Sequence, residues 1–235
     1  MNRIKIRHQT IPFSLSMFLL VFTTCVGAYA VGENVETLVY ARPMPTPSAA
    51  DERAARASFK KLVDLQAALK KIPRERQNRE PHKTFLKVNR DRIVYSEPAA
   101  DYYVRSDLFW NLHSKYKQVQ IAEKIAWTGA QNPLPGECEG YVNCVLYVVI
   151  STDAKYLRLY PKGRYAKKAL KNVIEHLSPM ADAADKENYT GPAEDSDRAE
   201  LKKLIDELKQ SFELVSEPER TKALLLVKQI GDNFN

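Results

Sequence analysis

The sequence predicts a mainly α protein built from antiparallel helical hairpins. In several segments, most regularly between Leu201 and Val215, apolar residues recur every three or four positions, which is the spacing of one helix face. Prolines and glycines separate these segments from one another. The chain has only 8 glycines among 235 residues, which is few for an all-β fold that depends on tight turns.

The first thirty residues predict a cleavable signal peptide over 1–30. Basic residues open the chain, a mostly apolar run extends from Ile11 to Val26, and Ala28-Tyr29-Ala30 supplies small residues for cleavage. Cleavage removes three basic residues and no acidic ones, so the formal net charge falls from +7 to +4. We expect an exported protein, periplasmic or secreted, with no transmembrane span in the mature chain. Lipid anchoring at Cys25 is the alternative.

Residues 31–48 are predicted to form an extended linker, because the stretch is rich in proline. A helical domain over 49–180 follows it. Ser48-Ala49-Ala50-Asp51 has the form of a capping box, so the first helix should begin there and end before Pro73.

The pattern between the first helix and Gly129 is less regular. Apolar residues over 84–95 suggest a small β-hairpin that turns at Asn89-Arg90-Asp91. Ser96 is predicted to start a second helix that carries Tyr102 to Tyr116, and a third helix should end near Gly129.

The apolar run from Cys144 to Ile150 fits either a buried strand or a buried helix. We favour a helix, because the apolar stripe continues at helical spacing as far as Tyr160. Pro161-Lys162-Gly163 should end this helix, and the next one should end at Pro179.

An acidic linker over 181–195 precedes the most regular part of the chain. Residues 196–231 predict a C-terminal helical hairpin that packs on the same domain, with its turn at Ser216-Glu217-Pro218-Glu219 and its end at Gly231. A turn this short makes the two helices antiparallel.

The segment around the Pro161 turn resembles a known helical family. Tyr160-Pro161 ends one helix, a polar turn follows, and Ala166-Lys167-Lys168-Ala169-Leu170 opens the next. This arrangement resembles the inter-helix turn of tetratricopeptide-like proteins, of the periplasmic outer-membrane assembly lipoprotein type, over about residues 144–178. No second copy follows at the repeat period of about 34 residues. The resemblance implies helical hairpins that act as a non-catalytic binding scaffold.

Cys138 and Cys144 are the only cysteines left after removal of the signal peptide, and they stand six positions apart. In an oxidising compartment such a pair is expected to form a disulfide. A ring this short contributes about 2 kcal/mol of loop entropy, so it would staple one turn rather than hold the fold together. A metal site would need further ligands at suitable spacing, and we predict none.

Charge is unevenly distributed along the chain. Lys155 to Lys171 contains seven Lys or Arg residues and no acid, whereas Glu175 to Glu219 contains thirteen acids and five bases. Tyrosines interleave with the basic run, a mixture suited to phosphate, carboxylate or sugar-acid groups. We therefore predict binding of a protein or an anionic envelope component, but not of nucleic acid, and no cofactor. The predicted binding residues are Tyr156, Arg158, Tyr160, Lys162, Arg164 and Lys168. The alternative is that these are solvated faces.

A catalytic alternative rests on two carboxylates. Glu137 and Glu139 flank Cys138 in a loop bent by proline and glycine, and paired carboxylates of this kind hydrolyse glycosidic bonds. His113 could join them if its helix packs nearby. The alternative function is thus an extracytoplasmic glycan hydrolase.

Overall fold

The described residues of the computed structural model are 48–97, 99–182 and 185–234. The predicted signal peptide and nearly all of the predicted linker lie outside them. The described part is mainly helical with one small antiparallel sheet, as predicted. Its helices are α1 (Ala49–Leu69), α2 (His82–Val88), α3 (Ser106–Lys115), α4 (Ala122–Ala130), α5 (Val142–Val149), α6 (Lys155–Leu159), α7 (Ala166–Ala181), α8 (Asp195–Ser211) and α9 (Arg220–Phe234).

Helix α1 begins at the predicted capping box. The Ser48 hydroxyl accepts a hydrogen bond from the Asp51 backbone N–H at 3.1 Å, and the Asp51 carboxylate accepts from the Ser48 backbone N–H at 3.2 Å. Two of the amide donors at the helix start are thereby paired. The helix ends at Leu69, before Pro73.

The small β-hairpin lies further along the chain than predicted. Strand β1 (Ile93–Ser96) pairs antiparallel with strand β2 (Asp101–Val104), whereas the residues expected in the first strand belong to α2. Val104 explains the pairing, because its side chain is fully buried and its backbone N–H donates to the Gln66 side chain at 2.8 Å. The second predicted helix therefore starts at Ser106 rather than Ser96.

The run from Cys144 to Ile150 is helical, as predicted, and it continues into an unusual turn. A π-helical turn, Ile150–Ala154, separates α5 from α6 and buries Thr152 and Asp153. A π turn rotates the residues after it relative to a regular helix, and such turns are frequent at functional sites. Here it directs a carboxyl side chain toward α4 and α7.

Two helices run past the residues that were predicted to end them. Helix α7 includes Pro179 in its last turn and ends at Ala181, with the Ser178 hydroxyl donating to the Ile174 carbonyl at 2.7 Å. Helix α9 includes the buried Gly231 and ends at Phe234. Proline removes one backbone hydrogen bond and crowds the carbonyl four residues earlier, and packing around the fully buried Met180 offsets this cost. A glycine can likewise stay helical where packing holds it.

One apolar core joins the helices from α4 to α9, and a smaller one lies between α1, α2 and the hairpin. Helix α7 packs along α9, and α5 packs against α8. Within the described ranges, none of the helices has the length and apolar character needed to cross a bilayer.

Candidate functional site

A groove lined by cations runs along α7 and the start of α9. Its volume is about 820 Å³, and we call it the basic groove. Five cationic and two acidic residues line it together with a floor that includes Ile174 and Pro179. The charged residues are Arg164, Lys167, Lys168, Lys171, Lys222, Glu175 and Glu219.

Most cations of the basic groove have no acidic partner. Lys171 lies 3.6 Å from Glu175, and both side chains are exposed. Among the residues that the structure describes, Arg164, Lys167, Lys168 and Lys222 form no ion pair within 4.0 Å. An excess of unpaired positive charge in a groove attracts anions and strengthens their binding.

Glu219 supplies a hydrogen-bond acceptor at the edge of the groove. Its Oε2 atom is buried and has no hydrogen-bond partner in the described part of the chain. This oxygen is not accessible from the groove, so Glu219 adds negative charge to the lining, but this atom does not contact a ligand there.

Tyr156 was predicted to face a partner, and this prediction is wrong. The Tyr156 side chain is fully buried, and its hydroxyl donates to Glu123 Oε1 at 2.7 Å. The Arg164 backbone N–H donates to the same carboxylate oxygen at 2.5 Å, and the Tyr165 N–H donates to the Tyr156 hydroxyl at 3.2 Å. Burial and the bond to Glu123 raise the pKa of Tyr156. This tyrosine therefore holds the turn between α6 and α7.

Gly163 makes that turn possible by leaving space for these groups. A Cβ atom at Gly163 would lie 2.5 Å from the Tyr156 hydroxyl and 2.6 Å from Glu123 Oε1. Both distances are too short for non-bonded contact with carbon. The glycine is thus required because polar atoms approach its backbone closely.

Tyr160 is half-buried and forms a hydrogen bond with a histidine of α3. Its hydroxyl lies 2.8 Å from His113 Nε2, and the two rings meet edge to face. Burial lowers the pKa of His113, and the charges of Lys155 and Lys117 lower it further. Tyr160 and His113 therefore contact each other, and their predicted roles, in binding and beside the loop carboxylates, stay predictions.

The remaining predicted residues separate into two groups. Arg158 is paired with Glu207 of α8 at 2.8 Å, and Lys162 is exposed on the turn outside the basic groove. Only Arg164 and Lys168 of the predicted set line the groove. Lys167 and Lys171 also line the groove and belong to the same basic run, but they were not among the predicted binding residues.

Cys138 and Cys144 are joined as predicted, with their sulfur atoms 2.08 Å apart. Gly140, at the centre of the ring, adopts φ +77°, which favours glycine. Glu137 and Glu139 are exposed on this loop, and neither lines the cavities described here.

The described residues contain no group of three or more His, Cys, Asp or Glu side chains that could share a metal ion. Comparisons with protein families, with curated proteins and with solved structures find no match.

Proposed function

We propose that this protein is a non-catalytic binding protein that holds an acidic segment of a protein partner in the basic groove. The observation that carries the proposal is the set of four unpaired cations along α7 and α9, arranged over an apolar floor. Acidic side chains of the partner would pair with these cations, while its apolar residues would lie on Ile174 and Pro179.

A peptide fits the groove better than a bare anionic polymer does. A polymer of phosphates or uronates offers charge but little apolar surface, so it would leave the floor of the groove uncovered. The Glu219 carboxylate in the lining favours a ligand that also brings a hydrogen-bond donor, such as a backbone N–H. An anionic envelope component is therefore the second choice, to be distinguished by experiment.

We also propose that the protein acts after export. The basic, apolar and small-residue order of residues 1–30 supports this location, as does the disulfide between Cys138 and Cys144. A partner outside the cytoplasm would not be nucleic acid. A tetratricopeptide-like scaffold role remains part of the same proposal, supported by the helical turn at Pro161.

The groove can be tested with a labelled amphipathic peptide in which Glu and Leu residues alternate at helical spacing. Fluorescence anisotropy should report binding to the mature protein at low salt. Reversal of three groove charges, in Arg164→Glu/Lys168→Glu/Lys171→Glu, should weaken binding by about 100-fold or more, because attractive charge pairs become repulsive.

The matched control reverses three exposed cations outside the groove, in Lys70→Glu/Lys71→Glu/Lys83→Glu. It changes the net charge equally, so it separates a specific site from general attraction. Equal loss of affinity in both triple variants would reject the groove. Polyglutamate or heparin that binds as tightly as the amphipathic peptide would instead favour a simple anionic polymer.

A further inference from the structure

A second cavity lies on a different face of α7, and its chemistry differs from that of the basic groove. Its volume is about 410 Å³, within the range of roughly 300–1,000 Å³ that is typical of small-molecule pockets. We call it the polar cleft. It lies between β2, the loop that follows α4, the π-helical turn and α7, and its side chains include Tyr103, Gln131, Leu134, Asp153, Asn172 and His176.

Asp153 is the buried centre of the polar cleft. Only 4% of its surface is exposed, although its side chain is ionisable. The side-chain amides of Gln131 and Asn172 donate to its Oδ1 atom at 3.1 and 3.2 Å. Three separate helical segments thus converge on one carboxyl group, which the π-helical turn directs toward them. An aspartate is rarely buried, because burial of a carboxyl group is unfavourable and an apolar side chain would pack better at such a position.

The lining of the polar cleft excludes two classes of ligand. It contains no Lys or Arg, and His176 is its one basic side chain, so it offers little positive charge to pair with an anion. It also contains a single carboxyl group, and the described residues hold no cluster of three metal-binding side chains, so a divalent cation has no site. The lining therefore suits a neutral ligand that carries both hydrogen-bond donors and hydrogen-bond acceptors.

Sugars match this combination of groups. Asparagine, glutamine and aspartic side chains present donors and acceptors to adjacent hydroxyls, while the ring of Tyr103 and the side chain of Leu134 offer apolar surface to the C–H face of a sugar ring. Burial raises the pKa of Asp153 to about 7, so near neutral pH a large share of the carboxyl groups is protonated and can donate.

We propose that the polar cleft is a binding site for a neutral saccharide, held by Asp153, Gln131 and Asn172 and stacked on Tyr103. This site is separate from the basic groove and does not depend on the acidic partner. It also assigns no hydrolysis, because the cleft contains one carboxyl group and glycosidic cleavage usually uses two.

The test is a titration of the mature protein with glucose, galactose, N-acetylglucosamine and a disaccharide of each, followed by saturation-transfer NMR and calorimetry. We expect at least one of these sugars to bind. Gln131→Ala and Asn172→Ala should each lower the affinity for that sugar by about tenfold, the loss expected for one hydrogen bond to a ligand.

The matched control is Glu137→Gln/Glu139→Gln, which changes exposed carboxylates on the adjacent loop outside the polar cleft. Its sugar affinity should equal that of the wild type. The proposal would be overturned if no sugar of the panel bound, or if Gln131→Ala and Asn172→Ala bound as well as the control. Circular dichroism of each variant shows whether the fold is kept.

Discussion

The two sides of α7 show how one helix can serve two different chemistries. On the side of the basic groove, Lys167, Lys168 and Lys171 carry charges that stay in water and have few partners. On the side of the polar cleft, the Asn172 side chain donates a hydrogen bond to the buried carboxyl group of Asp153. The groove therefore offers long-range attraction, whereas the cleft offers hydrogen bonds of defined geometry. This contrast predicts that substitutions on the two sides will differ in pH dependence and in cost to stability.

The largest expected effect is the pH dependence caused by Asp153. Its carboxyl group titrates near 3.8 in the unfolded chain, whereas burial raises its pKa to about 7 in the folded protein. Between these values the folded state binds more protons, so the free energy of unfolding falls as pH rises. The shift corresponds to ~4 kcal/mol at most between pH 4 and pH 8. Asp153→Asn should remove this contribution, because asparagine does not titrate.

Urea unfolding at a series of pH values measures this effect as the difference between wild type and Asp153→Asn. The neighbouring Lys168 and His176 are present in both proteins, so their contributions largely cancel. Asp185→Asn, at an exposed aspartate, is the matched control and should give a flat difference. A flat difference for Asp153→Asn as well would mean that its carboxyl group is solvated, and the contrast between the two sides of α7 would fail.

An intermediate effect is expected at the turn that leads into α7. In Gly163→Ala the new methyl group would overlap the Tyr156 hydroxyl and Glu123 Oε1, so at least one buried hydrogen bond must break. The free energy of unfolding should fall by about 2–3 kcal/mol. Gly136→Ala, where no atom lies within 4 Å of the new Cβ, controls for the added methyl group, although its positive φ adds some strain. A loss below about 0.5 kcal/mol in Gly163→Ala would mean that the turn accommodates the methyl group without breaking these hydrogen bonds.

The basic run was visible in the sequence, because its charges are neighbours along the chain. Arg164 and Lys168 could be predicted as binding residues from that run alone. Tyr156 belongs to the same run, yet it is fully buried and its hydroxyl donates to Glu123, which lies 33 positions away. Sequence patterns therefore predicted the charge of this region but not which of its side chains face solvent.

The polar cleft could not be predicted, because its residues come from separate segments. Tyr103 was expected in a helix and lies in β2, and Asp153 lies in a π-helical turn that regular helix spacing does not reveal. The helices themselves were easier to predict, since local apolar spacing specifies them. Their ends at Pro179 and Gly231 were misjudged because packing against neighbours outweighed the local preference of proline and glycine.

The smallest expected effect on stability lies in the basic groove. Lys167→Ala and Lys222→Ala remove exposed cations that form no ion pair in the described part of the chain, so each should change the free energy of unfolding by less than about 0.5 kcal/mol. Urea unfolding at pH 7 measures the change, with Arg158→Ala as a comparison that breaks the pair with Glu207. The same two variants should bind the amphipathic peptide more weakly in the anisotropy assay. A loss of stability above 1 kcal/mol in either variant would show that the groove cations support the fold, and the distinction between a binding side and a structural side of α7 would not hold.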